Sequence, residues 1–586
     1  MVPEFVLTSG ERKHVRLIYS LACLVLCAPA AFAQLTMDQK VNDFQYMASV
    51  FAKNYGPYEW KRDALKFDLL NIAPWLDKIR ATQNDLDFYE VMQEYVAGLN
   101  DAHDNYSLPS SFVARLNFGV DIYDGKLLVD VITRTRLPAG EFPFVNGYEL
   151  VSIDGVEANK ILDGLLRYQI AANPRSTRRL AAQLLTIRPQ SIMPHAGNVP
   201  EISNVVFRRP DGNLEAYRIP WTKSGLLLTS VGKFPAISAT QPHVPSNSGE
   251  PEPVDGGGET TPSYMQPLLA LQNCRLPDNG VIGFGAIAPV FANAMPAGFT
   301  LRLGRGLADE FYSGTFESGG RKIGFIRIPS YAPFSPNAAI VQFITEIAFF
   351  QKNTDGLIID EMRNPGGSVA YLNTLVSLLI PTRWRSLGFE VRATSSWISR
   401  FSTALQQAKN AGAPPAILDQ LQVIKDELVD ANRANRGRTN PIPLDDVLID
   451  RDPAVDIKGV YLGYTKPLIV LADELSASGG DAFAATIQDN ARGPIVGWRT
   501  MGAGGNVVRW QVGSYSQGFT TLTMSLMNRK DLVITPDYPA APYVENIGVR
   551  PDVTIDYMTR ENLIQNGKPF VDAAVEAMLA EIQKKQ

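Results

Sequence analysis

The chain has 586 residues, room for about three or four domains of ordinary size. Hydrophobic residues make up 45% and charged residues 20%, the balance of a folded globular protein and too apolar for a disordered one. Lys and Arg number 55 against 60 Asp and Glu, a net charge of −5, so the basic excess that nucleic-acid binding calls for is missing. Three cysteines support neither a disulfide framework nor a four-ligand zinc site, and four histidines leave few candidates for imidazole chemistry.

Arg12, Lys13 and Arg16 precede an apolar run from Leu17 to Cys27, and the stretch ends in Ala31-Phe32-Ala33. A basic flank, a short apolar core and an A-x-A site describe a secretory signal peptide cleaved after Ala33. The run is short of the roughly 20 residues that span a bilayer, and Leu26 is too large to precede a lipid-bearing Cys27. No other run is apolar enough to cross a membrane. The mature protein is therefore expected to be exported, periplasmic or secreted, with no integral membrane anchor, and to keep only Cys274.

Asp38 to Lys53 places Val41, Phe44, Met47 and Phe51 at helical spacing, and Asp87 to Leu99 repeats the pattern with Phe88, Val91, Met92, Tyr95 and Leu99. The second helix is expected to stop at Asn100-Asp101-Ala102-His103, which leaves His103 on a loop just past a helix end. From Phe118 to about Thr222 short alternating runs take over, among them Lys126–Ile132, Glu149–Ile153 and Val205–Arg208. Val145 to Gly155 reads as a strand ending in a tight Asp-Gly turn, with a helix from Ala158; it resembles the segment that leads out of the groove of PDZ domains. Ile237 to Pro267 is rich in Pro, Ser, Gly, Glu and Thr and cannot bury enough apolar surface to offset its ordering entropy, so a flexible linker is expected there.

From Arg321 strands and helices alternate. Lys322–Ile328, Gly356–Asp360, Pro467–Ala472 and Ile495–Trp498 read as strands. Ser335-Pro336 opens a helix whose Ile340, Ile344, Ile347 and Phe350 share one face; further helices run on from Gly367 to Leu379 and from about Asp481 to Ala491. This alternation predicts a layered α/β domain, interrupted by a helical insertion over roughly Thr403 to Asn432 that breaks at Gly412-Ala413-Pro414-Pro415.

Leu471 to Gly480 joins a strand to a helix through small residues, Ser476-Ala477-Ser478-Gly479-Gly480. A helix N-terminus offers unpaired N–H groups and partial positive charge, which suit a nucleophilic serine and its oxyanion; the same residues also make an ordinary helix cap. Gly366-Gly367 supplies a second glycine turn at a neighbouring strand exit, able to add a convergent N–H. A serine nucleophile needs a base. His14 leaves with the signal, His243 lies in the linker and His195 in a turn of the middle region, which raises His103, flanked by Asp101 and Asp104.

Seven phrases in order, Tyr55–Lys61, Leu99–His103, the PDZ-like phrase, Lys322–Ile326, Asn364–Val369, Ser476–Gly480 and Tyr543–Val549, resemble the C-terminal processing (tail-specific) serine peptidases and, within them, the tricorn-core branch. The resemblance implies Ser478 as nucleophile, His103 as base and Glu545 as the carboxylate that orients the imidazole. It implies an oxyanion hole of Gly479 with Gly367 or Gly366, Gly367 preferred. It further implies a crotonase/ClpP-like catalytic domain, no cofactor, no metal, polypeptide substrates, a homodimer and self-cleavage in the linker. One departure matters: tail-specific members carry a lysine base in Thr-aromatic-Gly-Lys-Gly, whereas Thr500-Met501-Gly502-Ala503-Gly504 has Ala503 there, which excludes a Ser–Lys pair at that position. Asp489 receives no catalytic role.

The expected organisation is α/β multidomain: signal 1–33, N-terminal helical domain 34–115, PDZ-like β-rich domain 116–236, linker 237–272, and peptidase domain 273–580 with its insertion at about 400–435. Two other readings stand beside an exported endopeptidase. One is an inactive exported peptide-binding protein built on the PDZ-like module; the other is crotonase-type acyl-CoA chemistry, which leaves the Ser-Ala-Ser turn and Glu545 without a purpose.

Overall fold

The computed structural model describes residues 34–229, 283–444 and 448–584. The expected signal peptide at 1–33 and the linker at 237–272 lie outside the described residues. No described helix is long and apolar enough to cross a membrane.

The C-terminal half is built on a seven-stranded sheet in the order Thr300–Leu303, Tyr312–Ser318, Arg321–Arg327, Gly356–Asp360, Leu468–Ala472, Ile495–Gly497 and Val553–Thr554. The first three strands are antiparallel neighbours and the rest run parallel from Arg321–Arg327 onward. Helices cover both faces, so the central strands Gly356–Asp360 and Leu468–Ala472 are buried at every position and read as unbroken apolar runs. These two strands are direct neighbours, with Asp360 opposite Leu471, so both glycine turns leave the sheet at the same edge. In an open parallel sheet that edge is where ligands bind.

The helix Pro336–Asn353 packs on this sheet through Ala339, Phe343, Ile347 and Phe350. The expected stripe is therefore corrected by one position: Ile344 is 37% exposed, because the sheet meets the adjacent stripe of a helix that carries apolar residues on more than one side.

The middle region forms a sheet of Phe118–Tyr123, Lys126–Ile132, Glu149–Ile153, Ile202–Arg208 and Leu214–Pro220, with the short strand Val156–Glu157 paired to Glu149–Ile153 off that path and helices Ala158–Leu165 and Pro174–Gln183 against it. The N-terminal helices Met37–Asn54 and Asp85–Ala97 begin at side-chain caps, Thr36 and Asn84. Their apolar faces share one core with the helices Ser395–Asn410 and Pro415–Arg433 of the insertion, where Phe44, Met47 and Tyr95 pack with Trp397, Phe401 and Leu428.

The helix Pro174–Gln183 docks the middle region on the strand exit that leads to Ser478. Arg179, 1% exposed, pairs with Asp121 at 2.7 Å and with Glu474 at 3.1 Å. Arg175 adds Glu474 at 2.7 Å and Asp556 at 2.6 Å, and Ser176 Oγ donates to the Glu474 carbonyl at 2.5 Å. Removing one member of such a buried set leaves opposite charges without water or partner. Arg179→Met is expected to destabilise the protein by about 3–5 kcal/mol. Arg178→Met, which breaks an exposed pair with Asp163 and an exposed hydrogen bond to Asn159, is expected to cost less than about 1 kcal/mol. Denaturant midpoints of the two variants check the difference.

Candidate active site

Ser476 and Ser478 differ in what their surroundings leave free. Ser476 is buried, and its hydroxyl donates to the Glu361 carbonyl at 2.9 Å while accepting from Asp473 N at 3.1 Å. Ser478 is partly exposed and sits at φ 55°, ψ −110°, a conformation that β-carbon sterics disfavour, immediately before the helix Gly479–Asp489. The buried Asp481 carboxylate holds the turn in that shape. It accepts from Ser478 N at 2.9 Å, Gly502 N at 2.8 Å and Ala503 N at 2.9 Å, and from the Thr500 hydroxyl.

The second glycine turn packs directly on the first. A Cβ on Gly366 would lie 2.6 Å from both Gly479 N and Ser478 Cβ, and its φ of +96° already favours glycine. A Cβ on Gly479 would lie 3.0 Å from Gly367 N, so these two backbone nitrogens border one small space beside Ser478. Gly366 N is engaged, donating to Asn364 Oδ1 at 2.8 Å. Gly479 opens its helix, where N–H groups have no helical acceptor.

His103 follows the helix Asp85–Ala97 on a loop that the C-terminal half grips. The strand Asn105–Ser107 pairs antiparallel with Phe519–Thr523. His103 N donates to Asp101 Oδ1 at 2.9 Å, and its carbonyl accepts from Thr521 Oγ at 2.6 Å. Ala102 packs in one apolar cluster with Ala477, Met501 and Ala503, which sets this loop against the serine turn. The imidazole is fully buried, and neither ring nitrogen has a hydrogen-bond partner among the described residues. Burial pulls its pKa below the ordinary histidine value; Asp101 opposes that pull and Lys61 adds to it.

Glu545 is fully buried. Its carboxylate accepts from Gly504 N at 2.8 Å and pairs with Lys61 Nζ, so the ring of His103 is not hydrogen-bonded to it here. Burial raises the Glu545 pKa and the neighbouring Asp101 raises it further, while Lys61 and Gly504 draw it back. Asn546, at φ 62°, ties three segments together: its amide donates to Asn100 O at 2.8 Å and Ala172 O at 2.9 Å, and its oxygen accepts from Lys61 at 2.7 Å and Trp60 at 3.0 Å.

The structure thus gathers Ser478, Gly479, Gly366 and Gly367 into one turn pair, with the His103 loop packed beside it and Glu545 joined to that loop through Lys61. His195 lies elsewhere, pairing with Asp87 at 3.1 Å, and His14 and His243 fall outside the described residues. Asp489 pairs with Arg529, away from this cluster. Lys61, Asp481 and Asn546 were not singled out from sequence; the only signals were their places in or beside the quoted phrases. Among the described residues, no three His, Cys, Asp or Glu side chains are grouped to hold a metal ion.

Residues 322–555 match Peptidase family S41, and residues 113–226 match the PDZ domain. A protein of Chlamydia trachomatis is 25% identical over 591 aligned positions, 93% of each chain. One of Chlamydia pneumoniae is 24% identical, covering 94% of this chain and 91% of the other. The structure of mature CPAF complexed with lactacystin shares the fold, with a TM-score of 0.71 and 22% identity over 94% of this chain and 99% of that one. The chain carries a serine-peptidase domain of family S41 and a PDZ domain.

Gly366→Ala is expected to abolish peptidase activity and to cost about 1–3 kcal/mol of stability, because the new methyl would lie within 2.8 Å of Gly479 N, Ser478 Cβ and Ala477 O. Gly164→Ala, on the helix Ala158–Leu165 with open space around it, is expected to leave activity unchanged and to stabilise by up to about 1 kcal/mol. Parallel assays and melting curves of the two variants test this.

Proposed function

We propose that this serine peptidase cleaves polypeptides through an acyl-enzyme, with Ser478 as nucleophile, His103 as base and Glu545 as the carboxylate that orients the imidazolium. The observation that carries the reading is the contrast within one site. The Ser476 hydroxyl is fully engaged, whereas Ser478 is strained, partly exposed and faced by backbone N–H groups, beside a buried imidazole with both nitrogens unengaged. His103 takes the Ser478 proton as the oxygen attacks the peptide carbonyl. The oxyanion falls between the N–H groups of Gly479 and Gly367; Gly366 is unsuited because Asn364 already holds its N–H. His103 then protonates the leaving amine, and water repeats the cycle on the ester. Hydrogen bonds between such residues commonly tighten only with substrate bound, which accounts for the unpaired ring in the free protein.

Ser478→Ala and His103→Ala are expected to lower kcat about equally, by about 10³-fold or more, and Glu545→Gln by at least about 10²-fold. A fluorophosphonate should label wild type at Ser478 and leave Ser478→Ala unlabelled. Full activity in His103→Ala sinks the assignment. The pH profile gives a separate check. A depressed histidine pKa keeps the base neutral further into acid, so the acid limb of kcat/KM should lie below the ordinary value of about 6.5. A limb above pH 7 contradicts the base assigned.

The same reading includes export after cleavage at Ala33, a homodimer, and self-cleavage within residues 237–272. Support for self-cleavage comes from Phe284, on the C-terminal side of that segment, which packs in the cluster of Ala477 and Ala102. Where the described chain resumes, Phe284 thus packs in one cluster with the residue that precedes Ser478. Incubated side by side and mapped by mass spectrometry, wild type should yield new termini within 237–272 and Ser478→Ala should stay whole. An uncut wild type with full activity on added substrate defeats the idea.

A further inference from the structure

We propose that Lys61 is a positioning residue of the peptidase reaction, setting a positive charge against the Glu545 carboxylate and fastening it to the loop that carries His103. The proposal rests on the triad reading above and assigns a role to a residue outside it. Lys61 lies on the short helix Tyr58–Leu65, far from Glu545 in sequence, and its side chain is fully buried. Its ammonium pairs with Glu545 Oε1, donates to Asn546 Oδ1 at 2.7 Å and to Asn100 O at 3.0 Å, and stands 3.9 Å from Asp101 Oδ2. Three N–H groups thus meet three acceptors. An ammonium engaged in this way is a fixed positive charge with no lone pair to offer, so it cannot serve as the serine's base.

The surroundings explain why a charge is needed there. Asp101, Asp104 and Glu545 are all at most 4% exposed, and the cluster around them holds the Lys61 ammonium, the Tyr55 hydroxyl on Asp101 at 2.8 Å, the Thr523 hydroxyl and N–H on Asp101 and Asp104, the Gly504 N–H on Glu545, and His103. Burial drives Asp104 and Glu545 toward protonation. A protonated Glu545 would no longer stabilise the imidazolium that forms as Ser478 attacks. Lys61 opposes that protonation, and its bond to Asn100 O fixes the carboxylate relative to the loop three residues before the imidazole.

The test is a double-mutant cycle on the full chain, using Lys61→Met, Glu545→Gln and both together, with kcat, KM and the pH dependence of kcat/KM on a peptide substrate. Lys61→Met is expected to lower kcat by about 10–100-fold with KM changed by less than about threefold, and to move the acid limb upward by about one pH unit. On the Glu545→Gln background the same substitution should change kcat by less than about twofold, because the group it acts through is gone. The double variant removes the Lys61–Glu545 pair as a unit and leaves Asp101 its bonds from the Tyr55 and Thr523 hydroxyls and His103 N, so it should fold even if Lys61→Met alone does not, and its comparison with Glu545→Gln decides the matter. An equal loss in both backgrounds, or an unmoved acid limb in a folded Lys61→Met, overturns the role. Full activity in Glu545→Gln instead overturns the triad reading itself.

Discussion

The Asp481 carboxylate accepts from two turns at once, and the shape of the candidate site depends on it. One turn presents Ser478 at an angle its own backbone resists; the other runs through Thr500 to Ala503 and passes directly to Gly504, which binds Glu545. Burial pushes the Asp481 pKa up to about 6, and the hydrogen bonds it receives hold it down. Strain at Ser478 is tolerable because this buried acceptor over-determines the turn. At the position where tail-specific peptidases place a lysine, Ala503 contributes its backbone N–H to the clamp and its methyl to the apolar cluster with Ala102.

The rest of the molecule supports that centre from outside. The PDZ domain reaches the nucleophile turn through the first turns of Pro174–Gln183, by Asn173 on the Met501 carbonyl at 2.8 Å, Ser176 on Glu474 and Arg179 between Asp121 and Glu474. In a low-dielectric setting such a network is rigid when every member is paired and costly when one is not. The N-terminal helices and the insertion form a common core that carries the His103 loop to the same place. The mixed helix-and-sheet architecture therefore works as a clamp around two adjacent strand exits.

Local chemistry was readable in the sequence and distant chemistry was not. Periodicity located the strand Gly356–Asp360, the helix pair on either side of Gly412–Pro415, and the helix end that releases His103. Histidine scarcity isolated that residue by elimination. For Pro336–Asn353 Ile347 and Phe350 face the sheet as the period requires and Ile344 does not, because Ala339 and Phe343 take the inner positions of the preceding turns. Which glycine holds a free N–H turned on Asn364, whose side chain folds back on Gly366 in a way no spacing announces. Lys61 and Asn546 were least visible: a lysine on a polar-looking helix gives no hint that its partner is a glutamate 484 positions away.

Asn105–Ser107 lies before residues 230–282 and Phe519–Thr523 after them, so their pairing closes a loop of some four hundred residues. In an unbroken chain the entropy of that closure grows only slowly with length. Severed anywhere between 230 and 282, the protein becomes two polypeptides, one bringing His103 and Lys61 and the other Ser478 and Glu545. Folding is then an association, and the stability of the assembled site varies with protein concentration. Dilution joins heat and acid as a means of separating His103 from Ser478.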